Sequence, residues 1–195
     1  MGYYKRLVGE KCYLSPCSLE DAQTWATWFN DLEVTIPLGD EAFIPTGLEN
    51  ERETINHFTK NNCHVFNIVT SETDTLIGRC GLFNINQVDR HAMLGILIGV
   101  KDHWGKGYGT EATRLLLDHA FTLLNLNNVM LGAFTFNTRA IACYRKVGFK
   151  EIGRRRQARI VGGQKYDTIF MDILAEEFES VYVKSIIEKA KNQPL

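Results

Sequence analysis

The sequence has few of the residues that divide or cross-link a chain. Only four of its 195 residues are proline, and no segment is repeated or of low complexity. We therefore expect a single domain without an internal linker. The five cysteines are an odd number, and no two of them form a CxxC pair. This pattern favours reduced thiols, and it indicates neither a disulfide framework nor a metal site.

The sequence also has almost no net charge and no long apolar run. Its 22 lysines and arginines balance 23 aspartates and glutamates, so no overall field attracts a nucleic acid. No apolar run approaches the about 20 residues that span a bilayer, and residues 1–6 lack the pattern of a signal peptide. We expect a cytoplasmic protein that binds neither nucleic acid nor membrane.

The remaining composition, 45% hydrophobic and 23% charged, is typical of a globular protein with a sizeable core. Apolar patterning predicts strands at residues 11–14, 65–70, 76–85, 92–100, 128–136, 149–156 and 165–173. It predicts helices at residues 19–30, 48–60, 110–124, 138–147 and 175–191. The expected fold class is α+β, with a mixed, mostly antiparallel sheet of about seven strands flanked by helices.

Capping and turn residues mark the ends of several predicted elements. Ser18 and Asp21 form a capping-box pattern at the start of the first helix. Gly148 closes the helix at residues 138–147, and the paired Gly162 and Gly163 predict a hairpin between the last two strands.

The three strands predicted between residues 65 and 100 form an antiparallel meander. The third is apolar along its length, as expected of a strand buried on both faces at the sheet centre. Gly95 and Gly99 interrupt it, which indicates either tight packing or the close approach of a ligand. The connection at residues 31–47 is unusually long and rich in Pro and Gly, so we place part of the substrate site there.

The most informative segment is a glycine-rich turn between this third strand and the next helix. It reads His103-Trp-Gly-Lys-Gly-Tyr-Gly-Thr-Glu-Ala. Glycines let a ligand approach the backbone, and the unpaired N–H groups and positive end of the helix favour a diphosphate. The P-loop spacing is absent, and the dinucleotide pattern GxGxxG is not matched because Gly105, Gly107 and Gly109 alternate.

This segment resembles the acyl-CoA motif of the GNAT superfamily of N-acetyltransferases, Gln/Arg-x-x-Gly-x-Gly/Ala. Gly107 and Gly109 match, and Trp104 stands where Gln or Arg is usual, as in the branch of ribosomal-protein N-terminal acetyltransferases. Residues 137–149, which end in a Tyr and Gly-Phe signature, resemble the other recurrent segment of the superfamily. The resemblance covers residues 8–174, with a C-terminal helix at 175–191, and implies the GNAT acyl-CoA N-acyltransferase fold in one domain.

The resemblance implies that acetyl-CoA binds as cosubstrate and that no metal takes part. The diphosphate would lie on the glycine-rich turn, and the pantetheine arm would pair with the third meander strand like an extra strand. Backbone N–H groups of residues 95–98 would polarise the thioester carbonyl. The implied cofactor-binding residues are Ile98, Gly99, Val100, Gly105, Lys106, Gly107, Tyr108, Gly109, Thr110 and Asn137.

Tyr144 is the candidate catalytic residue because it stands at the matching family position. An amine that attacks the thioester directly requires an enzyme that stabilises an oxyanion and returns a proton to the CoA thiolate. A phenol with a pKa near ~10 can donate that proton to a thiolate whose conjugate acid has a pKa near ~8.5. A packed core tyrosine is the alternative. Asn137 would hydrogen-bond the cofactor arm, and it can also cap the following helix.

No residue is assigned as the general base. Many relatives carry Glu near the start of the third meander strand, where this sequence has Met93, and a thioether cannot take the proton. Water chains, an α-amino acceptor with a pKa nearer ~8, or a carboxylate such as Asp40 or Glu41 remain open. His103 and His119 are interpreted as surface or packing residues.

Four arginines, Arg154, Arg155, Arg156 and Arg159, form a basic cluster near the end of the sequence. Alternate residues of a strand face opposite sides, so the cluster is no broad surface for nucleic acid. We interpret it as a solvated edge strand, from which one arginine could reach a substrate carboxylate or the cofactor 3′-phosphate.

The sequence thus predicts an acetyl-CoA-dependent N-acetyltransferase, a monomer or homodimer, with a peptide or protein N-terminus as acceptor. The acceptor rests on the branch resemblance alone. A small amine, such as a polyamine, an amino acid or an antibiotic, is the alternative acceptor. A CoA-binding regulatory module without turnover is the alternative from another class of protein.

Overall fold

The computed structural model describes residues 2–61, 63–180 and 182–192, which form an eight-stranded sheet with helices on both faces. The strands are β1 (Leu7–Val8), β2 (Cys12–Pro16), β3 (His64–Thr70), β4 (Leu76–Asn86), β5 (His91–Ile98), β6 (Asn128–Phe134), β7 (Lys150–Val161) and β8 (Gln164–Leu174). The α-helices are α1 (Ala22–Phe29), α2 (Leu32–Thr35), α3 (Leu48–Lys60), α4 (Tyr108–Asp118), α5 (Thr138–Val147) and α6 (Tyr182–Lys191). None of the helices so described is both long and apolar enough to cross a membrane.

The strands lie in the order β1-β2-β3-β4-β5-β6-β8-β7. Neighbours from β1 to β5 are antiparallel, β5 and β6 are parallel, and β8 is antiparallel to both β6 and β7. This arrangement confirms the predicted mixed, mostly antiparallel sheet and its central meander. The sheet has eight strands rather than seven because β1 contains only two residues, too few to produce an apolar period in the sequence.

The sheet separates two apolar cores. Successive residues of a strand face opposite sides, and Ile68 and Val69 of β3 accordingly belong to different cores. The first core packs the sheet against α4 and α5 through residues such as Leu116 and Ile141. The second packs it against α1 and α3, with the fully buried Trp25 near its centre. The helices therefore flank the sheet on both faces, as predicted.

Capping residues limit the helices largely where the sequence predicts. Ser18 and Asp21 form the capping box, but the segment begins as a 3-10 turn before α1. Gly148 ends α5 with φ 120°, and Gly162 and Gly163 turn between β7 and β8 with φ 58° and 77°. These positive φ angles are readily adopted only by glycine.

The predicted C-terminal helix at 175–191 is divided into a 3-10 turn at Ala175–Glu177 and the helix α6. The carboxylate of Asp118, at the end of α4, accepts hydrogen bonds from the Ser180 hydroxyl at 2.5 Å and from the N–H groups of Tyr182 and Val183, each at 2.9 Å. Because these N–H groups lie at a helix start, where no carbonyl one turn earlier accepts them, Asp118 fixes α6 to α4.

β5 lies inside the sheet but is not buried along its whole length, which corrects the expectation from its apolar sequence. Its buried residues are Ala92, Leu94 and Leu97, and its half-buried residues are Met93, Gly95, Ile96 and Ile98. The reason is an opening in the sheet: pairing between the described residues of β5 and β6 covers three positions and ends at Met93 and Met130.

Candidate active site

The glycine-rich turn enters α4 through left-handed backbone. Gly105 and Gly107 have φ angles of 72° and 92°, and Gly107 is the N-cap of the helix. The N–H of Glu111 donates to the carbonyl of Gly107 at 3.1 Å. The N–H groups just before Glu111 therefore have no acceptor within the helix. Because α4 begins at Tyr108, two residues before the predicted start, the last part of the turn supplies the positive end of the helix.

The carboxylate of Glu111 joins the start of α4 to the turn between β1 and β2. Its oxygens accept hydrogen bonds from the backbone N–H groups of Glu10, Lys11 and Cys12 at 2.9, 2.8 and 2.7 Å. A Cβ at Gly9 would lie 2.6 Å from the Glu111 side chain, so this contact requires glycine there. The sequence pattern does not predict this role, although an acidic residue in the first turn of a helix is a signal for it.

Trp104 connects the end of β5 with α5. Its indole N–H donates to the carbonyl of Ile98 at 2.7 Å, and the guanidinium of Arg139 lies 3.7 Å from the centre of its ring. A cation over an indole face is attracted by the ring electrons. The residue that replaces the usual Gln or Arg of the motif therefore keeps a side-chain N–H donor.

A β-bulge shapes the end of β5 beside the opening in the sheet. The N–H groups of Gly99 and Val100 both donate to the carbonyl of Ile77, at 2.8 and 3.2 Å. Two residues opposite one bend the strand and increase its twist. Since successive residues direct their N–H groups to opposite sides, the N–H of Ile98 faces the opening. Of the three strand residues predicted to contact cofactor, Ile98 is the one with a backbone donor on that side.

Tight packing, one of the two predicted interpretations, accounts for Gly95 of β5 and for Gly99, which directly follows this strand. A Cβ at Gly99 would lie 2.1 Å from the indole of Trp28, and a Cβ at Gly95 would lie 3.0 Å from the ring of Phe83. Both glycines thus allow an aromatic side chain to lie directly on the strand backbone.

The start of α4, the edge of β5 and α5 meet at one place. A Cβ at Gly109 would lie 3.8 Å from the Cys143 sulfur and 3.9 Å from the Ile98 side chain, and the Thr110 hydroxyl is 3.3 Å from that sulfur. Tyr144, the next residue of α5, is 8% exposed. Burial, with a smaller contribution from Cys143, raises the pKa of Tyr144 well above its usual value, so the phenol keeps its proton.

Asn137 caps α5 and also contacts the long connection after α1. Its Oδ1 accepts from the N–H of Ala140 at 3.2 Å, and its Nδ2 donates to the carbonyl of Pro37 at 3.3 Å. The helix cap predicted as one role of Asn137 is therefore present. The bond to Pro37 brings the connection to the same end of α5.

The connection after α1 contains secondary structure of its own, namely α2 and a 3-10 turn at Asp40–Phe43. Arg159 of β7 holds this turn: its Nη2 donates to the carbonyl of Gly39 at 2.7 Å, and its Nη1 lies 3.6 Å from the Asp40 carboxylate. The guanidinium also lies 4.1 Å from the ring centre of Phe43. These contacts join the end of β7 to the connection after α1.

The solvated interpretation of the arginine cluster is wrong for Arg159, which is 5% exposed. Arg154, Arg155 and Arg156 are exposed on the edge strand β7, as predicted. A positive φ of 50° at Gln157 and a register shift between Arg155 and Arg159 interrupt the alternation of the strand. Arg159 therefore faces inward where simple alternation does not predict it.

The residues considered for proton transfer lie in different places. Met93 is the last residue of β5 paired with β6, and its sulfur accepts a bond from Asn84 Nδ2 at 3.4 Å. His119 is buried, with its Nε2 3.1 Å from the Nδ1 of His64, and burial is the main cause that lowers its pKa to about 4. His119 is thus a neutral packing residue, as predicted. Within the described ranges, no group of three His, Cys, Asp or Glu side chains is placed to hold a metal ion.

Comparison with known proteins identifies the family. The sequence model described as acetyltransferase (GNAT) domain matches residues 11–150. Over 176 residues the chain is 31% identical to the uncharacterized N-acetyltransferase p20 of Bacillus licheniformis. The aligned region covers 88% of this chain and 97% of that protein. The chain belongs to the GNAT acetyltransferase family. The resemblance found in the glycine-rich turn and in residues 137–149 is therefore confirmed, and the protein is an acetyltransferase.

Other relatives of this GNAT acetyltransferase differ in the acceptors that their names state. It is 36% identical over 105 residues to the putative ribosomal N-acetyltransferase YdaF of Bacillus subtilis, with 54% of this chain and 57% of that protein covered. It is 32% identical over 111 residues to the spermidine N(1)-acetyltransferase of Vibrio cholerae, with 57% and 64% covered. A solved structure of the Vibrio cholerae enzyme in complex with CoA and spermine matches 87% of this chain and 98% of that one, with a TM-score of 0.78 and 25% identity.

Proposed function

We propose that this GNAT acetyltransferase transfers the acetyl group of acetyl-CoA to a primary amine by direct attack, with a peptide or protein N-terminus as acceptor. One observation carries the proposal: the N–H-bearing start of α4 lies against the open edge of β5 and against α5, which carries Tyr144. The elements all surround one sheet, which supports a single domain.

The residues present fit an acyl-CoA. The turn Gly105, Lys106, Gly107, Tyr108, Gly109 and Thr110 would hold the diphosphate, because N–H groups at a helix start favour an anion. Ile98 would pair with the pantetheine arm through its N–H. The bulge at Gly99 and Val100 shapes the edge that this arm follows, and Asn137 would bound the arm at the start of α5. Bound acetyl-CoA supplies the activated acetyl group.

Tyr144 would return the proton to the departing thiolate. Burial raises the pKa of Tyr144, so the phenol is protonated at neutral pH and can donate a hydrogen bond to the departing thiolate. The N–H groups on the open side of β5 would stabilise the oxyanion, because the sheet leaves them without a strand partner.

The acceptor amine must be neutral when it attacks, and its pKa favours an N-terminus. An α-amino group has a pKa near ~8, so a sizeable fraction is already neutral at physiological pH, whereas a lysine-like amine near ~10.4 needs a stronger base. Met93 cannot act as that base. A small amine is the second candidate, which the relation to spermidine acetyltransferases favours.

The proposal is tested by thiol release from acetyl-CoA with a panel of N-terminal peptides and small amines. Tyr144→Phe should lower kcat by about 100-fold, the lower range for a general acid, while the Kd for CoA stays the same. Tyr4→Phe, at a tyrosine that is 78% exposed, is the control and should act as wild type. Unchanged turnover in Tyr144→Phe would contradict the role of Tyr144. If spermidine but no peptide triggers thiol release, the acceptor is a small amine and not an N-terminus.

A further inference from the structure

A cavity of about 460 Å³ lies between α1, α3, β4 and the long connection after α1. Its volume is in the range of sites for small ligands. The walls include Phe29, Asp40, Glu41, Thr46, Glu51 and Arg79. None of these six residues belongs to the cofactor site described above.

Arg79 places a cation at the cavity wall. Its guanidinium lies over two aromatic side chains, 4.5 Å from the ring centre of Trp25 and 4.3 Å from that of Phe29. Burial lowers the pKa of Arg79, and the nearby carboxylates of Glu51 and Glu41 act in the opposite direction. Its buried Nη1 has no hydrogen-bond partner among the described residues. A buried donor without a partner is costly, so this nitrogen calls for an acceptor atom.

Glu51 places a carboxylate at the same wall, although it is only 6% exposed. Its Oε1 accepts a hydrogen bond from the Thr46 hydroxyl at 2.9 Å. Its Oε2 is buried and, within the described part of the chain, has no partner. A buried carboxylate oxygen without a partner requires a donor, and a cationic donor satisfies it best.

The two unsatisfied atoms describe the ligand that complements them. Arg79 requires an oxygen acceptor, and Glu51 requires a charged donor. We infer that the cavity binds an α-ammonium group next to a carbonyl or carboxylate, with the oxygen on Arg79 and the ammonium on Glu51. This unit is common to a peptide N-terminus and to a free amino acid. The inference rests on the proposed function, because it identifies the acceptor of the transfer by its chemistry.

The charges of the cavity distinguish this unit from a polyamine. The cavity wall carries Asp40, Glu41 and Glu51 against Arg79. Even with Asp40 paired to Arg159, the carboxylates outnumber the cations by one, so the cavity favours a ligand that carries an ammonium group. A polyamine also carries ammonium groups, but it has no oxygen for Arg79 and would bring like charge against the guanidinium. An α-aminoacyl unit carries both the acceptor oxygen and the charged donor that the two buried atoms require.

Isothermal titration calorimetry without acetyl-CoA tests the inference. The probes are Ala-Ala-Ala amide, its N-acetylated form, L-alanine and spermidine. We expect the tripeptide amide or L-alanine to bind at least about tenfold more tightly than spermidine, and N-acetylation to abolish binding of the peptide. The ratio of the affinities for the tripeptide amide and L-alanine identifies the source of the unit.

Variants assign the binding to the two residues. Glu51→Gln keeps the size of the side chain and the bond from Thr46, and Arg79→Met keeps the length of the side chain. Each should weaken binding at least about tenfold. The control is Glu49→Gln, also on α3 but with a side chain that is 75% exposed, and its affinity should stay within about twofold of wild type. Thermal unfolding establishes that each variant is folded.

The inference is overturned if spermidine binds as tightly as the tripeptide amide and L-alanine, or if the N-acetylated peptide binds as well as the free one. It is also overturned if Glu51→Gln and Glu49→Gln bind alike. Should the Glu51 or Arg79 variants fail to fold, the comparison of free and acetylated peptide on wild type decides. Because the titration contains no acetyl-CoA, peptide binding without transfer would contradict only the proposed function. Transfer without binding in this cavity would contradict only the inference.

Discussion

The indole N–H of Trp104 donates at 2.7 Å to the carbonyl of Ile98, the last residue of β5, in the part of the strand beyond its pairing with β6. A carbonyl at this edge has no neighbouring strand to bond, and the indole supplies the donor instead. Since Arg139 lies over the same ring, the side chain of Trp104 connects the strand edge, the glycine-rich turn and α5.

Replacing Trp104 by Phe removes this donor and keeps an aromatic ring beneath Arg139. We expect Trp104→Phe to lower the free energy of unfolding by about 1–2 kcal/mol, the cost of one unpaired buried group, and to weaken CoA binding. Trp104→Gln restores an amide donor of the kind usual in the GNAT motif and should bind CoA better than Trp104→Phe. Urea unfolding and calorimetry with CoA measure both effects. Equal CoA affinity in the two variants would show that the donor is unimportant.

Removing the Glu111 carboxylate should loosen the glycine-rich turn. Glu111→Ala leaves the N–H groups of Glu10, Lys11 and Cys12 without their acceptor. Hydrogen bonds to a charged group contribute about 1.5–3 kcal/mol each when buried, and since two of these are exposed we expect a total loss of about 2–3 kcal/mol. Urea unfolding gives this value, and Glu111→Gln, which keeps acceptor capacity without the charge, should lose less. A stable Glu111→Ala variant with wild-type CoA affinity would contradict the anchoring role.

Whether a feature of the fold can be predicted from the sequence depends on how far apart in the chain its interacting residues lie. The turn at Gly107, the cap at Ser18 and the helix end at Gly148 depend on backbone conformations of a few neighbouring residues, so local patterns predict them. The bond from Cys12 to Glu111 spans 99 residues, and the bond from Arg159 to Gly39 spans 120. Neither leaves a periodic signal in the sequence. The motif predicts where Trp104 lies, but its partner Ile98 is determined by the opening of the sheet.

Arg159 should affect acceptor binding and leave cofactor binding unchanged, because it holds the 3-10 turn at Asp40–Phe43. Arg159→Met removes the bonds to Gly39 and Asp40 while keeping the length of the side chain. We expect KM for the acceptor to rise about tenfold, as after the loss of one charged hydrogen bond, and the Kd for CoA to change less than about twofold.

The matched control for Arg159 is Arg155→Met, on the same strand but exposed. Steady-state kinetics should show wild-type KM for this variant, since a solvated arginine makes no such contact. A rise of KM in both variants would assign the effect to the charge of β7 in general. A change confined to the Kd for CoA would contradict the placement of the 3-10 turn at Asp40–Phe43 in the acceptor site.

The free energy of unfolding should decrease as the pH is lowered, because His119 is buried. Burial, with smaller contributions from His64 and Arg6, lowers the pKa of His119 to about 4 in the folded protein, whereas the unfolded value is about 6.5. Between these values the unfolded state binds a proton that the folded state does not, so stability is complete above about pH 6.5 and is lost towards pH 4. The loss amounts to about 3 kcal/mol.

Urea unfolding at pH 7.0, 5.5 and 4.5 measures this loss against His119→Gln, in which this part of the pH dependence should disappear. The exposed His91 of β5 supplies the control, His91→Gln, which should keep the wild-type slope. Acid also protonates carboxylates and His64, whose pKa burial likewise lowers, in all three proteins. The difference between the slopes therefore gives the contribution of His119 together with its contact to His64. Parallel curves for wild type and His119→Gln would show that this histidine titrates alike in both states.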